Sequence, residues 1–168
     1  ELAWIDHGSA PRDAGYEYLT LFPSRAQRAE ALARQWRESP DKLPFRIVRR
    51  DNAAHIVQIP AEQLTAYALF EAGEPKFGVL REVSAPSIVM LRARGDELHL
   101  ELLNPVLDDQ SRPGLARQRN VTTRIKLDGN WELKHPDARI RPLGNSEFEI
   151  RNNHLESTSA VFKPKEKL

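Results

Sequence analysis

The sequence contains no cysteine. That excludes a disulfide framework, a thiolate nucleophile and a thiolate-bound metal. Aromatic residues make up only 7% and are concentrated toward the start. A surface for single-stranded nucleic acid interleaves aromatics with basic groups, so this composition argues against one. No apolar run approaches the roughly 20 residues that a membrane-spanning helix needs. Neither sign of charge dominates: 25 basic residues face 24 acidic ones, for a net charge of +1. That balance does not indicate a nucleic-acid partner. Gly-x-Ser-x-Gly, a phosphate-cradling glycine loop and a dinucleotide fingerprint are all missing. His7, His55, His99, His135 and His154 lack the His-x-x-x-His or His-x-Glu spacing of a metal site. We therefore expect no metal and no cofactor. Methionine is nearly absent as well. Met90 is the only one, and the sequence opens on Glu1 with Leu2-Ala-Trp-Ile5 already strand-like. The expectation is a piece of a longer protein, with a mature chain cleaved from a leader as the alternative.

What remains is an ordinary globular composition, 40% hydrophobic and 29% charged over 168 residues. Residues 1–8 and 16–22 read as strands that are apolar on both faces, the mark of strands covered on both sides. Between them, 9–15 is turn-forming. Ser24 and Gln27 have capping-box spacing, and Ala26, Ala29, Leu32, Ala33 and Trp36 line one face of a helix expected over about 25–38. Ser39-Pro40 stops it. Beyond that the pattern is all β. Asp51-Asn52 joins strands 45–50 and 55–59, and Gly95-Asp96 joins 87–94 and 97–103. Weaker strands fall at 64–70 and 78–83. Residues 104–115 read as a loop, and further strands are expected at 120–127, 131–133, 138–143, 146–151 and 158–162. Strands at 8–12 residue spacing with turn signals between them predict an antiparallel β-sandwich with one short helix.

Asp6-His7 looks like catalytic debris. Adjacent residues on a strand point to opposite faces, so the two cannot act as base and orienter, and a strand end at Gly8 explains them. Asp108-Asp109 matches no calcium loop and reads as a solvated turn. The arginines carry more. Arg46, Arg49 and Arg50 share one hairpin strand, and Arg92 and Arg94 share a face of the next hairpin. Further cations run along Arg117, Arg119, Arg124 and Lys126, and Arg139 pairs in parity with Arg141. A guanidinium fork suits carboxylate and sulfate oxygens. Two readings stay open: a basic stripe for an anionic ligand, or a solvent face balanced by Glu97, Glu101, Glu147 and Glu149.

The segments "WIDHGSAPRDAGYEY", "FRIVRRDNAAHIVQI", "LTAYALFEAG" and "APSIVMLRARGDELHLELLNPVL", in this order around the helix, resemble the C-terminal region of polysaccharide lyase family 8, the hyaluronate, chondroitin and xanthan lyases. The likeness is best from Trp4 to about Leu107; beyond Leu115 it lies in strand pattern alone. It implies that residues 1–23 are the last strands of a larger β-supersandwich, 24–40 a linker helix and 41–168 a C-terminal antiparallel sandwich. It also implies a secreted or periplasmic bacterial parent that cleaves glycosaminoglycans (chondroitin or dermatan sulfate, hyaluronan) by β-elimination. The family's catalytic Asn, His, Tyr, Arg and Glu map onto no position here, so no catalytic residue is expected, and His7, Tyr16 and Tyr18 are scaffold. The expected partners are the remaining domains of the parent and anionic polysaccharide, the latter through Arg46, Arg49, Arg50, Arg92 and Arg94, with no nucleic acid and no membrane. A freestanding carbohydrate-binding sandwich is the alternative.

Overall fold

The computed structural model of the chain describes residues 25–105, 121–152 and 156–166. The strands expected at 1–8 and 16–22, the supersandwich strands, Asp6-His7, Asp108-Asp109, Arg117 and Arg119 lie outside the described residues. The chain divides into two compact units, Glu1–Leu43 and Pro44–Leu168.

In the first unit, helix α1 spans Ala26–Glu38. Its N-cap is Arg25, in extended conformation and without a side-chain cap bond. The helix ends where Ser39 N–H donates to Gln35 O at 2.8 Å, and Pro40 starts a 3-10 turn over Pro40–Lys42. No residue of α1 is buried.

The second unit is the expected mainly β fold, built from two antiparallel sheets. The strands in chain order are β1 (Arg46–Arg50), β2 (Ala54–Ile59), β3 (Leu64–Leu69), β4 (Leu80–Val83), β5 (Ser87–Arg94), β6 (Glu97–Leu103), β7 (Val121–Leu127), β8 (Trp131–Leu133), β9 (Ile140–Gly144), β10 (Glu147–Asn152) and β11 (Thr158–Pro164). The larger sheet runs β1-β2-β3-β5-β6-β11-β8 and the smaller β4-β7-β10-β9. Alternation decides which side chains go inward. The row Ile56, Tyr67, Val89 and Leu102 crosses four neighbouring strands of the larger sheet and is buried throughout. From the smaller sheet, Ile125, Leu127, Phe148 and Ile150 join it in one apolar core with Phe162. Phe148 and Phe162 meet across the two sheets with ring centroids 4.5 Å apart at 49°.

Polar bonds stitch the layers together. Asn152 Nδ2 donates to Leu102 O at 2.9 Å, and Asn104 Nδ2 to Thr123 Oγ1 at 3.3 Å; each joins β7 or β10 of the smaller sheet to the β6 end of the larger. Tyr67, in the core, donates its hydroxyl to Phe77 O at 3.2 Å. Burial pushes its pKa up to about 12, so it remains a donor across the working pH range.

The outermost strands are irregular. The β1–β2 register slips between Ile47 and Arg49, and that of β4–β7 between Leu80 and Glu82. Val83 of β4 also exchanges backbone bonds with Gly73 at 2.9 and 3.0 Å. Strand β8 is three residues long. Strand β9 contains Pro142 and slips against β10 between Glu147 and Phe148.

Candidate functional site

The register separates the five arginines singled out from sequence. Strict alternation puts Arg46 and Arg50 on one face and Arg49 on the other. The slip at Val48 changes this, because a bulge sets two residues against one and resets the parity. Arg49 lies opposite buried Ile56, on the core side, and Arg46 lies opposite Gln58 on the same parity. Arg50 lies opposite exposed His55 on the outer face, and Arg46, at the strand's other end, is exposed too. Arg92 and Arg94 share the solvent face of β5, opposite His99 and Glu97. Arg50 shares a row with Ile88 through His55 and Ala68. Three strand spacings and four residues therefore separate it from Arg92, roughly 20 Å.

Several of these cations already have partners. Arg49 Nε donates to Asp51 Oδ2 at 2.7 Å and its Nη1 to Pro75 O at 3.2 Å, tying the β1–β2 turn to the segment before β4. Arg92 Nη2 lies 3.6 Å from Glu62 Oε2. Around Arg94, Glu97 is engaged by Lys134 and by His99 Nε2 at 3.4 Å. The Lys134 bond is the main reason the Glu97 carboxyl sits below its ordinary pKa.

Asp51 is the most perturbed carboxylate among those described, lowered to about 2 from an ordinary 3.8. The Arg49 bond contributes most, followed by the backbone N–H of Ala54. A carboxylate whose folded pKa is depressed stabilises the fold above its unfolded value and loses that contribution as pH falls through the folded value. The contribution of Asp51 is therefore full above about pH 4 and fades toward pH 2. Asp51→Asn should melt below the parent chain at about pH 6, with the gap closing as acid approaches pH 2. A gap that does not change with pH would overturn this assignment.

On the smaller sheet, one carboxylate holds two arginines that sequence reading noted but did not place in a site. Glu149 of β10 lies opposite Arg124 of β7 and Arg141 of β9. Its oxygens are 3.5 Å from Arg124 Nε and 3.0 Å from Arg141 Nη2. The Glu149 side chain is only 9% exposed, under guanidiniums exposed by 59% and 63%. Arg139 is held separately, by both oxygens of Asp137. No group of three or more candidate metal ligands occurs among the described residues.

A second feature lies where the sheets part, between edge strands β8 and β9. A cleft of about 420 Å³ is lined there by apolar Trp131, Leu133, Ile140, Pro142 and Phe148 and by polar residues that include Asn130, Asn145 and Ser146. Trp131 is fixed in place. Its indole N–H donates to Asp128 O at 2.7 Å and its backbone N–H to Ser146 Oγ at 2.7 Å. Ser146 Oγ in turn donates to Gly129 O at 2.9 Å. Gly129 has φ +101, and a Cβ there would stand 2.9 Å from Trp131 Nε1, so only glycine lets the indole sit where it does. The sequence held one signal for this site, a tryptophan directly after the Asp128-Gly129-Asn130 turn, but not that β9 and β10 would close the other wall.

The solvent face of the larger sheet is unusually apolar. Ile47, Phe70, Ile88 and Met90 are 41%, 51%, 41% and 39% exposed, and Val57, Ala66 and Ala68 fill the rows between them. His55 and Phe70 close one end with rings 5.0 Å apart, edge to face.

No protein-family model matches the chain. It is similar to chondroitin sulfate ABC endolyase of Proteus vulgaris, 25% identical over 163 residues, 95% of this chain and 15% of the relative. It is also similar to chondroitin sulfate ABC exolyase of Bacteroides thetaiotaomicron, 30% identical over 135 residues, 74% of this chain and 13% of the relative. Among solved structures, a Paenibacillus xanthan lyase aligns with a TM-score of 0.60 at 15% identity, over 83% of this chain and 12% of that one. The chain thus spans about one seventh of the length of the curated relatives it matches.

Proposed function

Starting from the chain's homology to one segment of the chondroitin sulfate ABC lyases, we propose that it is the non-catalytic C-terminal sandwich of a secreted or periplasmic glycosaminoglycan lyase. The parent would cleave chondroitin or dermatan sulfate or hyaluronan by β-elimination. That reaction neutralises a uronate carboxylate, removes the C5 proton and protonates the O4 leaving group, all positioned acid–base work. The shifted carboxyls Asp51, Glu97 and Asp137 are each bonded to a neighbouring base, a structural duty. The role proposed is support of the catalytic domains.

The observation that carries this reading is the apolar solvent face around Ile47, Ile88, Met90 and Phe70. A sheet face destined for water alternates to polar residues, and a contiguous apolar patch marks a contact surface. The occupant proposed is the remaining polypeptide of the parent, since about six sevenths of each relative's length lies outside the matched segment. Arg50, Arg92 and Arg94, at the border of that face, and Arg46 and Arg49 behind it are the proposed contacts for anionic polysaccharide. A freestanding carbohydrate-binding sandwich is the second reading, and the Trp131 cleft is what favours it.

The test uses the isolated chain. Mixed with chondroitin sulfate, dermatan sulfate and hyaluronan, it should give no ultraviolet-absorbing unsaturated product. In sedimentation it should self-associate with rising concentration, and the double change Ile88→Asp, Met90→Asp should suppress this. Sustained product would overturn the non-catalytic assignment. A chain that stays monomeric and binds no apolar dye would overturn the contact face.

A further inference from the structure

The cleft at Trp131 differs from the arginines and from the apolar sheet face in how much has been committed to holding it open. Three successive residues beside it have positive φ: Gly144 at 98°, Asn145 at 50° and Ser146 at 58°. Asn145-Ser146 forms the two-residue turn between β9 and β10, with both residues left-handed. This turn type suits the twist of a hairpin and prefers glycine in second place. Serine there costs on the order of 1 kcal/mol, and Ser146 is also buried. Its hydroxyl accounts for the choice, because it joins the backbone of Trp131 to Gly129 and locks the β9–β10 turn against the β7–β8 turn. Strained backbone held by its surroundings gathers at binding sites.

The result is an opening of ligand-site size whose lining combines apolar side chains with polar ones. The indole N–H of Trp131 is spent on Asp128, so the residue offers the cleft its hydrocarbon ring. Of the charged residues that line it, Glu132 and Asp137 are already paired, with Lys163 at 3.0 Å and Arg139 at 2.9 Å, and Glu147 and Lys165 bring one charge of each sign, so the lining is neutral in sum. A ligand that fits has one flat C–H face and a hydroxyl-bearing edge, and carries no charge of its own toward the cleft. Resting on the reading of the chain as part of a polysaccharide lyase, we propose that this cleft binds one pyranose residue of a saccharide chain. The ring would lie against Trp131, with its hydroxyls toward Asn130 and Asn145. Because tryptophan and both turns are fixed beforehand, binding does not have to order them.

The test is a titration of the isotope-labelled chain, followed by NMR, with a chondroitin sulfate hexasaccharide and with a neutral N-acetylhexosamine hexamer. Both probes should shift Trp131, Asn145 and Ser146, the neutral hexamer these alone and the charged one Arg50, Arg92 and Arg94 as well. Trp131→Ala should weaken binding at least about tenfold, and Asn130→Ala, which gives up only an exposed 3.5 Å bond to Lys165 O and keeps the backbone bond from Lys165 N, several-fold. If Trp131→Ala does not fold, Asn130→Ala and the map of shifts decide the matter. The proposal falls if neither probe shifts the cleft at about 10 mM, if the neutral hexamer shifts Arg92 and Arg94 instead of the cleft, or if Asn130→Ala binds the neutral hexamer like the parent chain. Turnover and self-association do not involve the cleft, so failure here leaves the lyase-segment reading standing.

Discussion

Phe162→Ala should cost about 3–5 kcal/mol of folding free energy, the range for truncating a buried phenylalanine. Phe162 has no exposed surface. It sits in β11, paired with Leu98 on one side and Leu133 on the other, and its ring meets Phe148 from the opposite sheet. Removing it opens a void on the contact that joins the two layers, and the sheets cannot close over it without breaking ladder bonds on both flanks. Against a total stability of about 5–15 kcal/mol, the variant should be marginal at room temperature. Denaturant titration of both chains measures this. A loss below about 1.5 kcal/mol would mean that the layers repack freely and that the Phe148–Phe162 contact is not central.

Gly78→Ala should cost about 2–5 kcal/mol, from two sources that can be separated. Gly78 has φ +67, where a side chain costs about 1–2 kcal/mol. The added Cβ would also stand 2.5 Å from the Tyr67 hydroxyl, which is bonded to Phe77 O in the core. Tyr67 must shift and leave its buried hydroxyl poorly paired, at about 1–3 kcal/mol. A double-mutant cycle distinguishes the two terms. In a Tyr67→Phe background the clash is gone, so Gly78→Ala should cost only its backbone part, with a coupling above about 1 kcal/mol. Equal costs in both backgrounds would place the whole effect in the backbone.

How much of this was visible beforehand follows from the range of the interactions involved. The β5–β6 hairpin was legible to the residue, because Gly95-Asp96 and the flanking alternation are local signals. The short strand at Trp131–Leu133 was legible for the same reason. The β9–β10 turn was displaced by one residue. Gly144-Asn145 looked like the turn, whereas Gly144 closes β9 and Ser146 takes the second left-handed position, for the sake of a bond to Trp131 that lies 15 residues away. The face of each arginine in β1 was illegible, since a single extra residue at Val48 resets the parity and nothing in "RIVRR" announces it. The bracket of Arg124 and Arg141 around Glu149 needed the strand order β7-β10-β9, which only tertiary packing decides. The resemblance to polysaccharide lyases was carried by residues spread along the chain, and the comparisons agree with it.

The irregular outer strands limit how this molecule can associate. A free strand edge is a template, because its unpaired N–H and C=O groups invite another chain to add to the ladder without end. Here every outer strand among the described residues is spoiled for that purpose. Strand β1 is kinked at Val48, β4 is slipped and already bonded to Gly73, β8 offers three residues, and β9 lacks a donor at Pro142. Growth by hydrogen bonding on the described strands is closed off, so association through these two sheets must proceed face against face. Such a stack is finite, since two copies or a copy and its parent cover the sticky surface and leave none over. Even at high concentration, then, the chain should gather into small, dissociable complexes rather than fibrils, and a single carboxylate placed at Met90 would be enough to keep it apart.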